Sequence, residues 1–388
     1  MLLFVIYIAF ISLGLPDSML GSAWPSMHET LGVPESYAGF LTMLIYTGTI
    51  TSSALSGWLI NRLGTAKLVL LSTALTAVTM YGFSLSTNFA MLCCLALPYG
   101  LGGGSIDAAL NNYVAANYKP MHMSFLHCFW GIGTVIGPFL MGHVIKQGGI
   151  WTQGYSTVAT VQLVLTAILL LSIPLWRRNK NVSNDEESDE RGENSYKLLL
   201  YPGVRGAVLA FFLYCAIETS LGLWTVSFMI DAKGIGIVTA TKCGMMFFVG
   251  ITVGRILAGV LSKKYTDGQL ILYGMVTASA GLLALALPFG DALFSYSMVV
   301  LTGIGCGPVF PCMIHRAPEL VGKAHSQTLI GVQMAAASLG SITMPTLFGG
   351  IVHCFGTGIL PYFSLSVMVL LAVSAGGKAL LKQPSSHQ

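Results

Sequence analysis

The chain has 388 residues, 54% of them hydrophobic and only 9% charged, with a formal net charge of +4 and a mean hydropathy of +0.74. A water-soluble globular domain carries charge on about a quarter of its residues, so this composition excludes one. The small positive excess points to basic residues gathered on one side of a membrane, and away from nucleic acid as a partner.

A helix needs about 20 apolar residues to cross a bilayer. Twelve segments qualify, near 2–27, 36–60, 66–86, 89–116, 123–145, 154–176, 203–230, 237–262, 269–288, 292–314, 324–351 and 357–380. Little chain is left for a soluble domain, so the working parts must lie within the bilayer. The opening run Met1–Gly14 has no basic stretch and no small-residue cleavage site before Asp17. It is expected to be a retained first span and not a signal peptide.

Span 1 contains Gly14-Leu-Pro-Asp17-Ser-Met-Leu20-Gly21-Ser-Ala-Trp24-Pro25. A charge in hydrocarbon costs about 2.5–3.5 kcal/mol on insertion scales, so Asp17 should face a protein interior or a wet cavity. Span 4 carries Gly102-Gly103-Gly104 and then Asp107, with Asn111 four residues on and on the same helical face. That pair suits a proton relay, hydrogen bonds to hydroxyls, or oxygen ligation of Na⁺; a quiet structural pair is the alternative. Asn112 and Tyr113 follow it.

Span 5 carries His127 and Trp130. His127 is read either as a proton shuttle or as a satisfied buried histidine. Gln162 in span 6 and Gln333 in span 11 add polar groups for a solute. Aromatic faces stack on the C–H side of a pyranose, and Trp24, Trp130 and Trp224 come from spans 1, 5 and 7; interfacial anchoring is the competing reading. Trp151 and Trp176, at span ends, read as anchors. Arg255 enters span 8 at a depth similar to that of Asp107 in span 4. It is expected either to pair with Asp107 as a gate or to snorkel to the interface. The eight cysteines contain no Cys-x-x-Cys spacing and read as buried thiols, with no metal site.

The one long polar break, residues 177–202, includes the acidic run 184–193 and reads as a flexible cytoplasmic linker. With the N-terminus cytoplasmic, about fifteen of the 19 Lys and Arg fall inside, which places both termini in the cytoplasm of a cell-membrane protein.

The two halves echo each other. Asp17, Leu20, Gly21 and Ser26 align with Glu218, Leu221, Gly222 and Ser227 at one constant offset. Gly48 and Gly57 match Gly250 and Gly259; Gly100, Gly102 and Gly104 match Gly303, Gly305 and Gly307; Gly133, Pro138 and Gly142 match Gly340, Pro345 and Gly349. The expected fold is therefore an all-α integral membrane protein of twelve helices in two pseudo-symmetric six-helix bundles. Their bounds are 1–176 and 203–388, related by an axis along the membrane normal.

Gly57-Trp-Leu59-Ile-Asn61-Arg62-Leu-Gly64-Thr-Ala-Lys67 resembles the loop after the second helix of the major facilitator superfamily, with Asn61 where that family carries an acid. Several stretches further resemble the fucose–galactose–glucose:proton symporter group. These are Asp17 with its following Leu-Gly and Trp-Pro, Asp107 through Tyr113, His127 through Gly133 with Gly137-Pro138, and Glu218 with Gly222 and Trp224. In that group acids in helices 1 and 4 serve sugar binding and proton coupling, and the resemblance places those roles on Asp17 and Asp107.

The expected function is proton-coupled uptake of a hexose-like solute by alternating access. Proton coupling falls to Asp17, Asp107 and Glu218, and gating to Arg255. Solute contacts fall to Asp17, Trp24, Asn111, Asn112, Tyr113, His127, Trp130, Gln162, Glu218, Trp224 and Gln333. No cofactor is expected beyond the coupling ion, H⁺ or Na⁺; the partners are the solute, H⁺ and membrane lipid, and the chain is expected to be a monomer. Export of amphiphilic compounds is the alternative, because Gly133 to Gly142 partly matches a glycine–proline motif of drug/proton antiporters. A non-transporting receptor comes after that. No nucleophile–base set supports an enzyme.

Overall fold

In the bilayer every backbone N–H and C=O must find its partner within the chain, so apolar runs of this length fold as helices. The computed structural model describes residues 2–118, 120–176, 201, 203–288 and 291–376. It contains twelve helical spans: Leu2–Leu31, Tyr37–Leu63, Thr65–Ser84, Phe89–Val114, Phe125–Lys146, Trp151–Leu175, Val204–Asp231, Ile237–Leu261, Asp267–Ala286, Ala292–His315, Leu329–Phe355 and Thr357–Ser374. They match the twelve expected segments. The acidic run and the rest of 177–202, apart from Tyr201, lie outside the described residues.

The ends of the spans follow local chemistry. Span 1 continues past the apolar run through His28 and Glu29, and stops where Gly32 takes a left-handed cap at φ +63°. Gly64, at φ +77°, makes the tight turn between spans 2 and 3. Spans 4 and 10 start at side-chain caps, Asn88 accepting from the Met91 amide and Asp291 from the Phe294 amide. Span 9 starts at a reciprocal Thr266–Gln269 capping box. Large apolar side chains such as Leu171 (80% exposed), Phe355 and Val373 point outward from the helices, as a surface in contact with lipid requires.

The chain packs as two compact units. One comprises Met1–Arg178 with Gly222–Val249 and Pro345–Gly358; the other comprises Asn179–Leu221, Gly250–Met344 and Ile359–Gln388. Spans 7, 8, 11 and 12 thus each contribute to both.

The repeat is visible as duplicated helix crossings. Gly48 lies on the carbonyl of Leu97 beside Gly100, and its counterpart Gly250 lies on the carbonyl of Val300 beside Gly303. Gly104 meets the Thr49 carbonyl, and Gly307 that of Ile251. Gly102 sits on Ser72 and Thr76 of span 3, and Gly305 on Gly274 and Ala278 of span 9. Gly133 meets span 1 at Ile11 and Gly14, while Gly340 meets span 7 at Phe212 and Ala216. At each place the missing Cβ lets two backbones touch, the contact that packs helices where the hydrophobic effect offers no help. The periodic glycines of the sequence are therefore structural, and the two halves share one scaffold.

Replacing Gly104 or Gly307 by Val forces a side chain into a carbonyl of the crossing helix, at an overpacking cost of about 1–3 kcal/mol or more. Both variants are expected to lower the thermal midpoint in detergent by several degrees. Gly57→Ala, where nothing lies within reach of the added carbon, is expected to leave it unchanged.

Candidate functional site

Span 1 is broken at its acid. Pro16 removes a backbone donor inside the helix, and the helix Leu2–Asp17 ends immediately after it, restarting at Met19. Ser18 fills the break, its hydroxyl donating to the Thr134 carbonyl of span 5 at 2.8 Å. Gly14 and Gly133 bring spans 1 and 5 into backbone contact, Gly14 meeting the carbonyl of Trp130 itself. The Trp130 indole N–H thereby reaches Asp17 and donates to its Oδ2 at 2.8 Å.

Asp17 is exposed and opens on a small cavity, with room for about one water molecule, whose polar lining comes from Ser12, Asp17, Thr49, Thr76, Tyr99 and Gln162. Gln162 is fully buried and locked to span 1: its amide donates to the Ser12 carbonyl at 2.6 Å and its oxygen accepts from the Ser12 hydroxyl. The cavity reaches Gly103 and Ile106 on span 4. One residue further, Asp107 accepts from the Asn111 amide at 2.9 Å, as the i, i+4 spacing implied. The Asn111 oxygen is buried with no partner among the described residues, an acceptor left for a donor from elsewhere. Among the described residues neither Asp17 nor Asp107 is in an ion pair.

The C-terminal half handles its acid differently. Glu218, the counterpart of Asp17, lies 3.6 Å from Arg255, both side chains 15% exposed. The sequence offered Asp107 as the gating partner of Arg255; the structure pairs Arg255 with Glu218 and Asp107 with Asn111. Equal depth in the membrane did not make the pair; the crossing of spans 7 and 8 did. Gln333 is 1% exposed, with an oxygen that has no partner among the described residues.

Other expected solute contacts are occupied elsewhere. Trp24 is fully buried, its N–H on the Glu35 carbonyl at 2.8 Å and its ring edge-on to Phe89. Trp224 is fully buried too, with its N–H on the Pro345 carbonyl at 3.3 Å and its ring edge-on to Phe348. Both fill helix contacts and spend their one indole donor on a backbone carbonyl, as buried indoles usually do. Tyr113 packs against Trp176 with ring centres 5.0 Å apart. His127 lies edge-on to Phe10 at 6.0 Å, about two turns along span 1 from Asp17, and Asn112 is exposed. Trp151, read as an interfacial anchor, is buried against Tyr155.

Thr49, Thr76 and Tyr99 were missed in the sequence. Their hydroxyls sit singly in apolar spans, and the only signal is that Tyr99 adjoins the glycine that packs span 4 on span 2. Gly133 and Gly137, the core of the antiporter-like motif, are accounted for by their contacts with Ile11 and Leu15 of span 1.

The sequence model of the Major Facilitator Superfamily matches residues 6–345 and 245–385. The chain belongs to the major facilitator superfamily. It is a multi-pass membrane transporter of that superfamily. It is 22% identical to the glucose/mannose transporter GlcP of Bacillus subtilis over 88% of this chain and 86% of that one. It is also 22% identical to Bypass of stop codon protein 6 of Saccharomyces cerevisiae, over 94% and 80%. The crystal structure of a point mutant of the nucleoside transporter NupG superposes with a TM-score of 0.82 at 13% identity, covering 98% and 100% of the two chains.

In this superfamily member the Glu218–Arg255 pair makes a stability prediction. Arg255→Met alone strands a buried carboxylate, at about 3–5 kcal/mol. The double variant Glu218→Gln/Arg255→Met is expected to recover most of the thermal midpoint, and strictly additive losses would contradict the pairing.

Proposed function

We propose that this transporter takes up a hexose-like solute together with H⁺, with both termini in the cytoplasm of the cell membrane and alternating access as its cycle. The observation that carries the reading is Asp17. It is an accessible carboxyl at the break in span 1, held by a neutral indole donor and facing a cavity of hydroxyls and an amide. A carboxyl held by neutral donors can gain and lose a proton without breaking an ion pair, whereas one locked to an arginine cannot. Hydroxyl, amide and aromatic groups together offer what a sugar ring requires, hydrogen bonds to its hydroxyls and a flat face for its C–H side.

In this reading Asp17 takes both proton and sugar hydroxyl, and Trp130 positions the acid. Asp107 is the second proton site, and Asn111 supplies the open acceptor beside it. The similarity to GlcP, a glucose/mannose transporter, supports the reading. Glu218 and Arg255 serve the C-terminal half as an ion pair that protonation of Glu218 would open.

Proteoliposomes with an imposed inward H⁺ gradient and a panel of radiolabelled hexoses test this directly. Uptake of at least one hexose is expected to rise about tenfold over the no-gradient control, and Asp17→Asn or Asp107→Asn to remove that stimulation. Trp130→Phe, which deletes a hydrogen bond to a charged group worth about 1.5–3 kcal/mol, is expected to raise KM by roughly tenfold or more. Extrusion of a lipophilic dye under the same gradient, with no hexose moved, would replace uptake by export.

A further inference from the structure

The two halves give their matched acids different companions. Glu218 lies 3.6 Å from the guanidinium of Arg255. The spacing that matches Gly48 with Gly250 and Gly57 with Gly259 puts Ser53 at the place of Arg255, and the Ser53 hydroxyl donates to the Gly104 carbonyl at 3.1 Å. Asp17 is left with a neutral indole on its Oδ2 and, among the described residues, no cation of its own chain.

The cavity at Asp17 is walled by groups whose hydrogens are already used. The Thr49 hydroxyl donates to the Ile45 carbonyl at 3.2 Å, and the Thr76 hydroxyl to the Thr73 carbonyl at 2.8 Å. Ser12 gives its hydroxyl hydrogen to the Gln162 oxygen, and the Gln162 amide returns one to the Ser12 carbonyl at 2.6 Å. A hydroxyl that has donated keeps its lone pairs, so each of these groups is left as an acceptor. Asp17 and Tyr99 line the same space. Its occupant therefore has to bring hydrogens or positive charge.

The chemistry of the wall narrows the choice. The polar lining is oxygen-rich, with no His or Cys side chain in it, which suits a hard cation and not a transition metal. A single carboxylate balances one positive charge, whereas tight Ca²⁺ sites gather several carboxylates and Mg²⁺ keeps much of its water shell. The space admits about one water molecule, too little for a hydrated ion. K⁺, with its longer bonds to oxygen, asks for a wider cage than Na⁺.

We propose that the cavity at Asp17 is a Na⁺ site. Asp17 carries the countercharge, and the oxygens of Ser12, Thr49, Thr76 and Tyr99 complete the shell. The ion does for Asp17 what Arg255 does for Glu218, except that it can leave. A proton and Na⁺ use the same carboxylate, so one displaces the other. This goes beyond the proton-coupled reading and does not depend on the solute.

The test is thermal unfolding of the purified protein in detergent, at one pH and constant ionic strength, with NaCl exchanged for KCl or choline chloride. The midpoint is expected to rise with Na⁺ concentration and to stay flat with K⁺ and choline. Trp130 emission, taken as the part lost in Trp130→Phe, should titrate over the same Na⁺ range, because the indole shares Asp17 with the ion. Thr49→Val and Thr76→Val keep the side-chain shape and remove one oxygen each; each is expected to weaken Na⁺ binding about tenfold, the loss of one contact to a charged group. Thr49→Ser, which restores the oxygen, should bind as the native protein does, and Asp17→Asn should show no response. A midpoint raised equally by K⁺ or choline, no Na⁺ response in the native protein, or a response that survives in Asp17→Asn overturns the site. If Asp17→Asn does not fold, undiminished Na⁺ binding in both Thr→Val variants overturns it instead. The readout needs neither solute nor gradient, so failure of the hexose assay and failure of the Na⁺ site are separate results.

Discussion

The structure depends on keeping an ionisable carboxyl usable inside a membrane-spanning bundle. Burying Asp17 beside a permanent cation would satisfy it and also silence it; leaving it against lipid would expel the span. The chain instead breaks span 1 at the acid and answers it with an indole N–H. Around it stand side chains that hydrogen-bond without carrying charge: the Thr49, Thr76 and Tyr99 hydroxyls and the amide of Gln162. That solution requires Trp130 to arrive at a particular height, and the height is set by Gly14 meeting span 5 and Gly133 meeting span 1. Packing and chemistry here are one constraint, since a side chain at either glycine would separate the donor from the acid.

The two halves use one scaffold for different purposes. Equivalent glycines make equivalent crossings in each, so backbone geometry is duplicated, while the acid that the repeat places in each half is treated in opposite ways. Asp17 has a neutral partner and an open cavity. Glu218 has Arg255 at 3.6 Å. Duplication thus fixed where an acid could stand, and the neighbouring helix decided whether its partner is a neutral donor or a cation.

Much of this was legible in the sequence. A run of about 20 apolar residues has one outcome in a bilayer, and the glycine spacings repeated too regularly to be accidental, so the spans and their doubling could be read directly. Asp17, Asp107 and Asn111 were legible because charge in a span is costly and i, i+4 residues share a face. What could not be read was any partnership made by helices crossing: Arg255 with Glu218, Trp130 with Asp17, Gln162 with Ser12. Trp24 and Trp224 were misplaced for the same reason. An aromatic residue near an acid in sequence looks like a site wall, and only the crossing shows its N–H spent on the carbonyls of Glu35 and Pro345.

The most direct test of the central claim is spectroscopic. Infrared titration of the purified transporter in lipid should show a protonated-carboxyl absorption that grows as pH falls, and this account predicts that Asp17→Asn removes a distinct part of it and Asp107→Asn another. Titration bands identical to those of the native protein in both variants would show that neither acid carries the coupling proton, and would contradict the account.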